Sequence, residues 1–161
     1  VLTRSADTYV ELHDRVAYAK RQRADLLVSL HYNSSGNGRA EAKGVECYCL
    51  TPAGATSTNV RPDDRASTKA VAGNAQNSRN ALLAYLIQKA VVTSLDVEDR
   101  GIRRARFAVL RDATMPAVLV EGGFMSAPDE RRQLVGPERR HDLAQANADG
   151  ILDYKRLVER H

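Results

Sequence analysis

The sequence predicts an α/β domain built in three layers, a mostly parallel sheet flanked by helices. Three observations carry this prediction. Short, nearly continuous apolar runs at 25–31 and 117–121 have the length and composition of strands buried on both faces. Stretches with apolar residues at helical spacing separate and follow them. The chain has 161 residues, 43% hydrophobic and 27% charged, which suffices for one domain with one sizeable core.

The elements follow in order. Val1-Leu2-Thr3-Arg4 reads as the end of a strand, and Ser5-Ala6-Asp7-Thr8 supplies capping residues for a helix with Tyr9, Leu12, Val16 and Ala19 on one face. The run 25–31 is a strand that delivers His31 to a loop, where Asn33-Ser34-Ser35-Gly36-Asn37-Gly38 breaks the pattern. Residues 44–50 form a third strand in which Val45, Cys47 and Cys49 alternate with Glu46, Tyr48 and Leu50. Residues 51–76 lack periodicity and are long for a loop in a compact domain, so they are expected to be mobile or functional. Residues 77–95 return to helix spacing through Leu82, Leu83, Leu86, Ile87, Ala90 and Val91. Arg106-Phe107-Ala108-Val109-Leu110-Arg111 reads as a fourth strand, and Ala117-Val118-Leu119-Val120-Glu121 as a fifth, ended by Gly122-Gly123. Leu143, Ala146, Gly150, Ile151 and Tyr154 trace a final helix begun near Glu138.

Composition narrows the function. With 24 Lys+Arg against 20 Asp+Glu the net charge is +4, and the basic residues alternate with acids, so no phosphate-binding stripe forms. Aromatic residues are 5% with no Trp, which removes a base-stacking platform and leaves nucleic acid disfavoured as a partner. No apolar run approaches the roughly 18 residues of a membrane span, and the first residues lack the pattern of a signal peptide, so the chain reads as soluble and without a visible address. Cys47 and Cys49 share a strand face, where geometry disfavours a mutual disulfide; they read as small hydrophobes and do not fix the redox compartment.

In an open parallel sheet the carboxyl ends of the strands face a crevice, and His31 and Glu121 both stand at such ends. An acid at the tip of an apolar strand sits beside a low-dielectric wall that raises its basicity and suits it to general-base work. His31 offers an imidazole, the commonest ligand of a catalytic metal. Each has a plainer reading: His31 as a hydrogen-bonding loop residue, Glu121 as a turn cap or a partner of Arg100 or Arg103. His13, His141 and His161 lie in charged surroundings and read as solvated, as do Arg131 and Arg132. A G-x-S-x-G elbow, a P-loop, a G-x-G-x-x-G turn and an H-E-x-x-H helix are all absent.

Several segments together resemble the zinc-dependent N-acetylmuramoyl-L-alanine amidases, cell-wall hydrolases of the AmiC and LytC type. They are Leu2-Thr3-Arg4 with Asp7 and Leu12-x-x-Arg15, the stretch 24–33 ending His31-Tyr32-Asn33, and Gly44-Val45-Glu46-Cys47-Tyr48. Asp99-Arg100-Gly101-Ile102, Phe107-Ala108-Val109-Leu110-Arg111, and the stretch 116–126 followed by Glu130 and Leu134 complete the set. The order is the family's, and the likeness covers nearly the whole chain except 51–76.

The resemblance implies a phosphorylase/hydrolase-like fold for a catalytic domain spanning 1–161. It implies that Zn2+ is held by two His and one Glu, with a second Glu as acid/base. His31 then matches the second zinc histidine, Glu121 the catalytic glutamate, and Asn33, with the Gly36 to Gly38 turn, the substrate groove. The family's other two ligands belong to a strand-loop-helix unit preceding the Thr3-Arg4 stretch, so two of three zinc ligands are expected to be absent. The implied reaction is hydrolysis of the amide between N-acetylmuramic acid and L-alanine in peptidoglycan, in the periplasmic or extracellular envelope, by a monomer whose activating partner, if any, the sequence does not name. The rival readings are a noncatalytic remnant or wall-binding domain that has lost the metal, and a zinc hydrolase acting on another amide.

Overall fold

One four-stranded sheet organises the chain in the computed structural model, which describes residues 1–36, 42–58 and 69–160. Helix α1 (Leu12–Arg21) leads into strand β1 (Leu27–Asn33), followed by β2 (Val45–Leu50), a 3-10 turn (Ala72–Gln76) and α2 (Asn77–Leu95). Then come β3 (Asp99–Ala105), α3 (Ala108–Arg111), β4 (Ala117–Phe124), α4 (Pro128–Leu134) and α5 (Pro137–Val158). The strand order is β1-β4-β2-β3. β1 runs parallel to β4 and β2 parallel to β3, whereas β2 and β4 are antiparallel, so the sheet is mixed with two of its three pairings parallel.

Period-two alternation sorts the side chains into two cores. Val28, Val45, Cys47, Cys49, Val118 and Val120 face α2 and α5, where they meet Leu83, Ile87, Val91, Ala146 and Tyr154. Leu27, Tyr48, Leu50, Ala117 and Leu119 face the other way, onto Val16 and Ala19 of α1 and Val109 and Leu110 of α3. Three layers result, as the sequence predicts. Leu83, Ile87, Val91 and Val118 are fully sealed, each burial contributing about 1.5–3 kcal/mol relative to exposure. The two cysteines are free and buried, their thiols made less acidic mainly by desolvation. α5 opens with Pro137 at its first turn and lies close on α2; a methyl on Gly150 would meet the Ile87 Cα at 2.6 Å, so only glycine allows that approach. α2 ends at Asp96, which takes the left-handed conformation and donates its N–H to the Val92 carbonyl.

Several expectations are corrected. Residues 1–4 are not a strand; Val1 and Leu2 are exposed, and the first helix begins at Leu12, without a side-chain cap, rather than around Tyr9. The 106–111 run is not a strand either. The ladder passes instead through the polar Asp99–Ala105 segment, and Ala108–Arg111 coils into one helical turn whose Val109 and Leu110 are buried. An edge strand tolerates polar composition, and a four-residue apolar run does not distinguish strand from helix. β1 is likewise an edge strand rather than one buried on both faces, with Leu30 63% exposed. The Gly122-Gly123 pair does not end β4. The register slips between His31/Glu121 and Asn33/Phe124, a bulge that Gly123 accommodates at φ 141°, and the strand continues to Phe124. Helix α4 carries Glu130, whose Oε2 accepts the Phe124 N–H at 2.6 Å and whose Oε1 accepts the Gly44 N–H at 2.9 Å, clasping the end of β4 to the start of β2. Residues 59–68 of the predicted loop, Asn37 and Gly38 of the predicted turn, and His161 lie outside the described residues.

Candidate active site

Because β1 and β4 are parallel, their carboxyl ends lie side by side, and because β2 runs against β4, its amino end arrives at the same place. The register sets His31 beside Glu121 and Glu121 beside Glu46. All three share the sheet face that carries Leu27, Leu119 and Tyr48, so an imidazole and two carboxyl groups form one row across three strands.

Glu46 is the fixed point of this row. It is 3% exposed, and both its oxygens are occupied. Asn33 Nδ2 and the Tyr48 hydroxyl each donate to Oε1 at 2.7 Å, Arg100 Nε donates to Oε2 at 3.2 Å, and Arg103 Nε lies 3.6 Å from Oε2. Such donors offset the cost of burying a carboxyl group.

Glu121 has the opposite environment. Its Oε2 is buried and finds no hydrogen-bond partner among the described residues. Desolvation first, and the Glu46 charge second, push its pKa up to about 7. Near neutral pH the group therefore gives and takes a proton with comparable ease, the condition for general acid/base work. Arg100 and Arg103, offered by the sequence as possible partners of Glu121, serve Glu46 instead.

His31 is exposed, with Nε2 3.0 Å from Ser29 Oγ. Partial burial, followed by the positive charges of Arg15 and Arg4, lowers its pKa, so the ring is held neutral and keeps a lone pair available. Asn33, two residues on, accepts the Ser34 N–H through Oδ1 at 2.7 Å while its amide is held by Glu46. His13 stands 3.2 Å from Asp14 in solvent, and His141, Arg131 and Arg132 are exposed, as predicted.

The zinc expectation meets a shortfall. Among the described residues no three His, Cys, Asp or Glu side chains gather where they could hold a metal ion. The row offers one imidazole and the Glu121 carboxyl, Glu46 being engaged by its own donors, whereas a catalytic zinc takes three protein ligands. The described donors do not by themselves fit the ion.

Sequence reasoning brought His31, Asn33 and Glu121 forward but missed the roles of Glu46, Tyr48, Arg100 and Arg103. The available signal was Glu46 itself, an acid between Val45 and Cys47 in a strand whose every residue is buried.

Comparison with known proteins bears on the family and the fold. Residues 1–153 match the family model for N-acetylmuramoyl-L-alanine amidase. The chain is 30% identical over 174 residues to the N-acetylmuramoyl-L-alanine amidase AmiA of Escherichia coli, covering 95% of this chain and 60% of that protein. The chain thus spans less than two thirds of that relative's length. Among solved structures, the catalytic domain of CwlV from Bacillus (Paenibacillus) polymyxa var. colistinus superposes with a TM-score of 0.73 at 34% identity, covering 96% of this chain and 70% of that one. The amidase AmiC2 of Nostoc punctiforme gives 0.75 at 34% identity, covering 97% and 72%.

Proposed function

This chain belongs to the N-acetylmuramoyl-L-alanine amidase family, and from that premise we propose that its row of side chains serves hydrolysis of the amide joining the lactyl group of N-acetylmuramic acid to the first L-alanine of the peptidoglycan stem. One observation carries the reading: a carboxyl with a pKa near 7, its buried oxygen without a hydrogen-bond partner among the described residues, stands next to a neutral imidazole on the neighbouring strand. Glu121, in its ionised form, takes a proton from the attacking water and delivers it to the leaving amine. Glu46, held by three donors, stands beside Glu121, and its charge helps keep Glu121 basic. Asn33, its amide fixed by the same carboxylate, lines the groove and orients the substrate.

His31 is the donor this chain offers to a zinc ion. When bound, zinc would acidify water and polarise the carbonyl. The place of action in this reading is the cell envelope. Among the described residues no helix is long and apolar enough to cross a membrane.

The rival reading is a wall-binding domain without turnover. Incubation with zinc and an N-acetylmuramoyl tripeptide, with new amines measured, separates the two. Release of peptide, reduced about 10²–10⁴-fold in Glu121→Gln, supports hydrolysis; sedimentation with insoluble peptidoglycan without release supports binding alone.

A further inference from the structure

Two arginines of β3 converge on one oxygen of Glu46, and they are not equally engaged. Arg100 donates from Nε at 3.2 Å, reaches the Lys43 carbonyl and Glu98 Oε1 through Nη1 at 3.3 and 3.4 Å, and lies over the Phe124 ring with its guanidinium carbon 4.8 Å from the centroid. Arg103 is left with the same Oε2 at 3.6 Å, too long for a hydrogen bond, and its buried Nε has no hydrogen-bond partner among the described residues. Of the Glu46 oxygens, Oε1 accepts from Asn33 and Tyr48 and Oε2 from Arg100, so Arg103 is the less engaged of the two arginines. A guanidinium presents five donors in a planar fork suited to a carboxylate, and a buried N–H left without a hydrogen-bond acceptor is costly. The Arg103 side chain is 28% exposed, so an incoming ligand can reach it.

We propose that Arg103, backed by Arg100, forms a subsite for a free carboxylate on the peptide side of the scissile amide; this rests on the amidase reading. The spacing agrees with a short peptide. Arg103 pairs with Tyr48 and Glu46 with Glu121, so the α-carbons of Arg103 and Glu121 are two strands and two residues apart, roughly 12 Å at about 4.8 Å per strand and about 3.4 Å per residue. A carboxylate two or three residues beyond the cleaved bond spans that distance once the arginine's own reach is included. Both arginines share the sheet face of Glu121, since Arg103 stands beside Tyr48 and each contacts Glu46. The peptide would thus lie across β2 from β4 toward β3.

The test measures dissociation constants of the whole chain, by calorimetry at low salt, for an N-acetylmuramoyl tripeptide with free carboxylates and for the same compound fully amidated. The acid is expected to bind about tenfold more tightly than the amide, a preference that Arg103→Gln abolishes without changing the amide's affinity. Arg103→Lys, which keeps the charge and its place against Glu46 but not the fork, should retain a reduced preference and serves if the Gln variant does not fold. Equal binding of acid and amide, or an unchanged preference in either variant, overturns the subsite and leaves the amidase reading standing. Binding of neither compound overturns both.

Discussion

Glu121→Gln should make the protein more stable at alkaline pH, because a carboxyl with a raised pKa costs folding free energy once it must ionise. In the folded chain Glu121 titrates at about 7, against an ordinary value of 4.5. Below 4.5 it is protonated in both folded and unfolded chains and contributes nothing to the difference. Between 4.5 and 7 the folded chain holds a proton that the unfolded chain has lost, so stability falls as pH rises, and above 7 the loss is complete. At full strength the displacement is worth about 3 kcal/mol. Solvent access to part of the side chain screens it, and about 2 kcal/mol is expected. Urea unfolding of the wild type and the Gln variant from pH 4 to pH 9 reads this directly as a difference that grows from near zero to about 2 kcal/mol and then levels. Glu46→Gln should remove only the lesser cause, leaving the titration well above the ordinary range because burial is the greater one. A stability difference independent of pH, or a wild type that gains on the variant as pH rises, would refute the assignment of a raised pKa to Glu121.

Two further outcomes are expected. After incubation with zinc and dialysis, His31→Ala should retain less metal than the wild type by elemental analysis; equal content would make His31 a structural residue. Gly150→Ala puts a methyl 2.6 Å from Ile87 Cα and 2.9 Å from its nitrogen, and the forced separation of α5 from α2 should cost about 1–3 kcal/mol in urea unfolding, a penalty whose absence would show that the helices can part freely.

What the sequence made legible depended on how strongly a segment's pattern was tied to burial. The helix at 77–95 was read with both ends correct, because three layers of contact demand its broad apolar face. β3 was invisible because an edge strand carrying Arg100, Arg103 and Arg104 has no apolar alternation to detect, and the nearby Val109-Leu110 pair drew the strand assignment to itself. The reading of 1–4 failed because two apolar residues in sequence cannot show whether a neighbouring strand exists to pair with them. At the site, strand ends pointed to His31 and Glu121 as neighbours in a parallel sheet. Nothing local said that β2 runs antiparallel to β4, and that reversal alone brings Glu46 to Glu121. The partners of Glu46 come from β1, β2 and β3, a convergence that only the tertiary arrangement reveals.

The Glu130 clasp has a consequence for how tolerant this protein can be of length changes before β2. Because neighbours along a strand look to opposite sides, sliding β2 by one position against β4 would turn the Glu46 carboxylate into the greasy interior under α2 and leave an aliphatic or sulfhydryl group beside Glu121. By holding the Gly44 and Phe124 amides on one side chain, Glu130 sets the reading frame of the sheet. A single-residue insertion ahead of Val45 should thus be felt as the disappearance of a charge, whereas the same insertion in a loop remote from the row would go almost unnoticed.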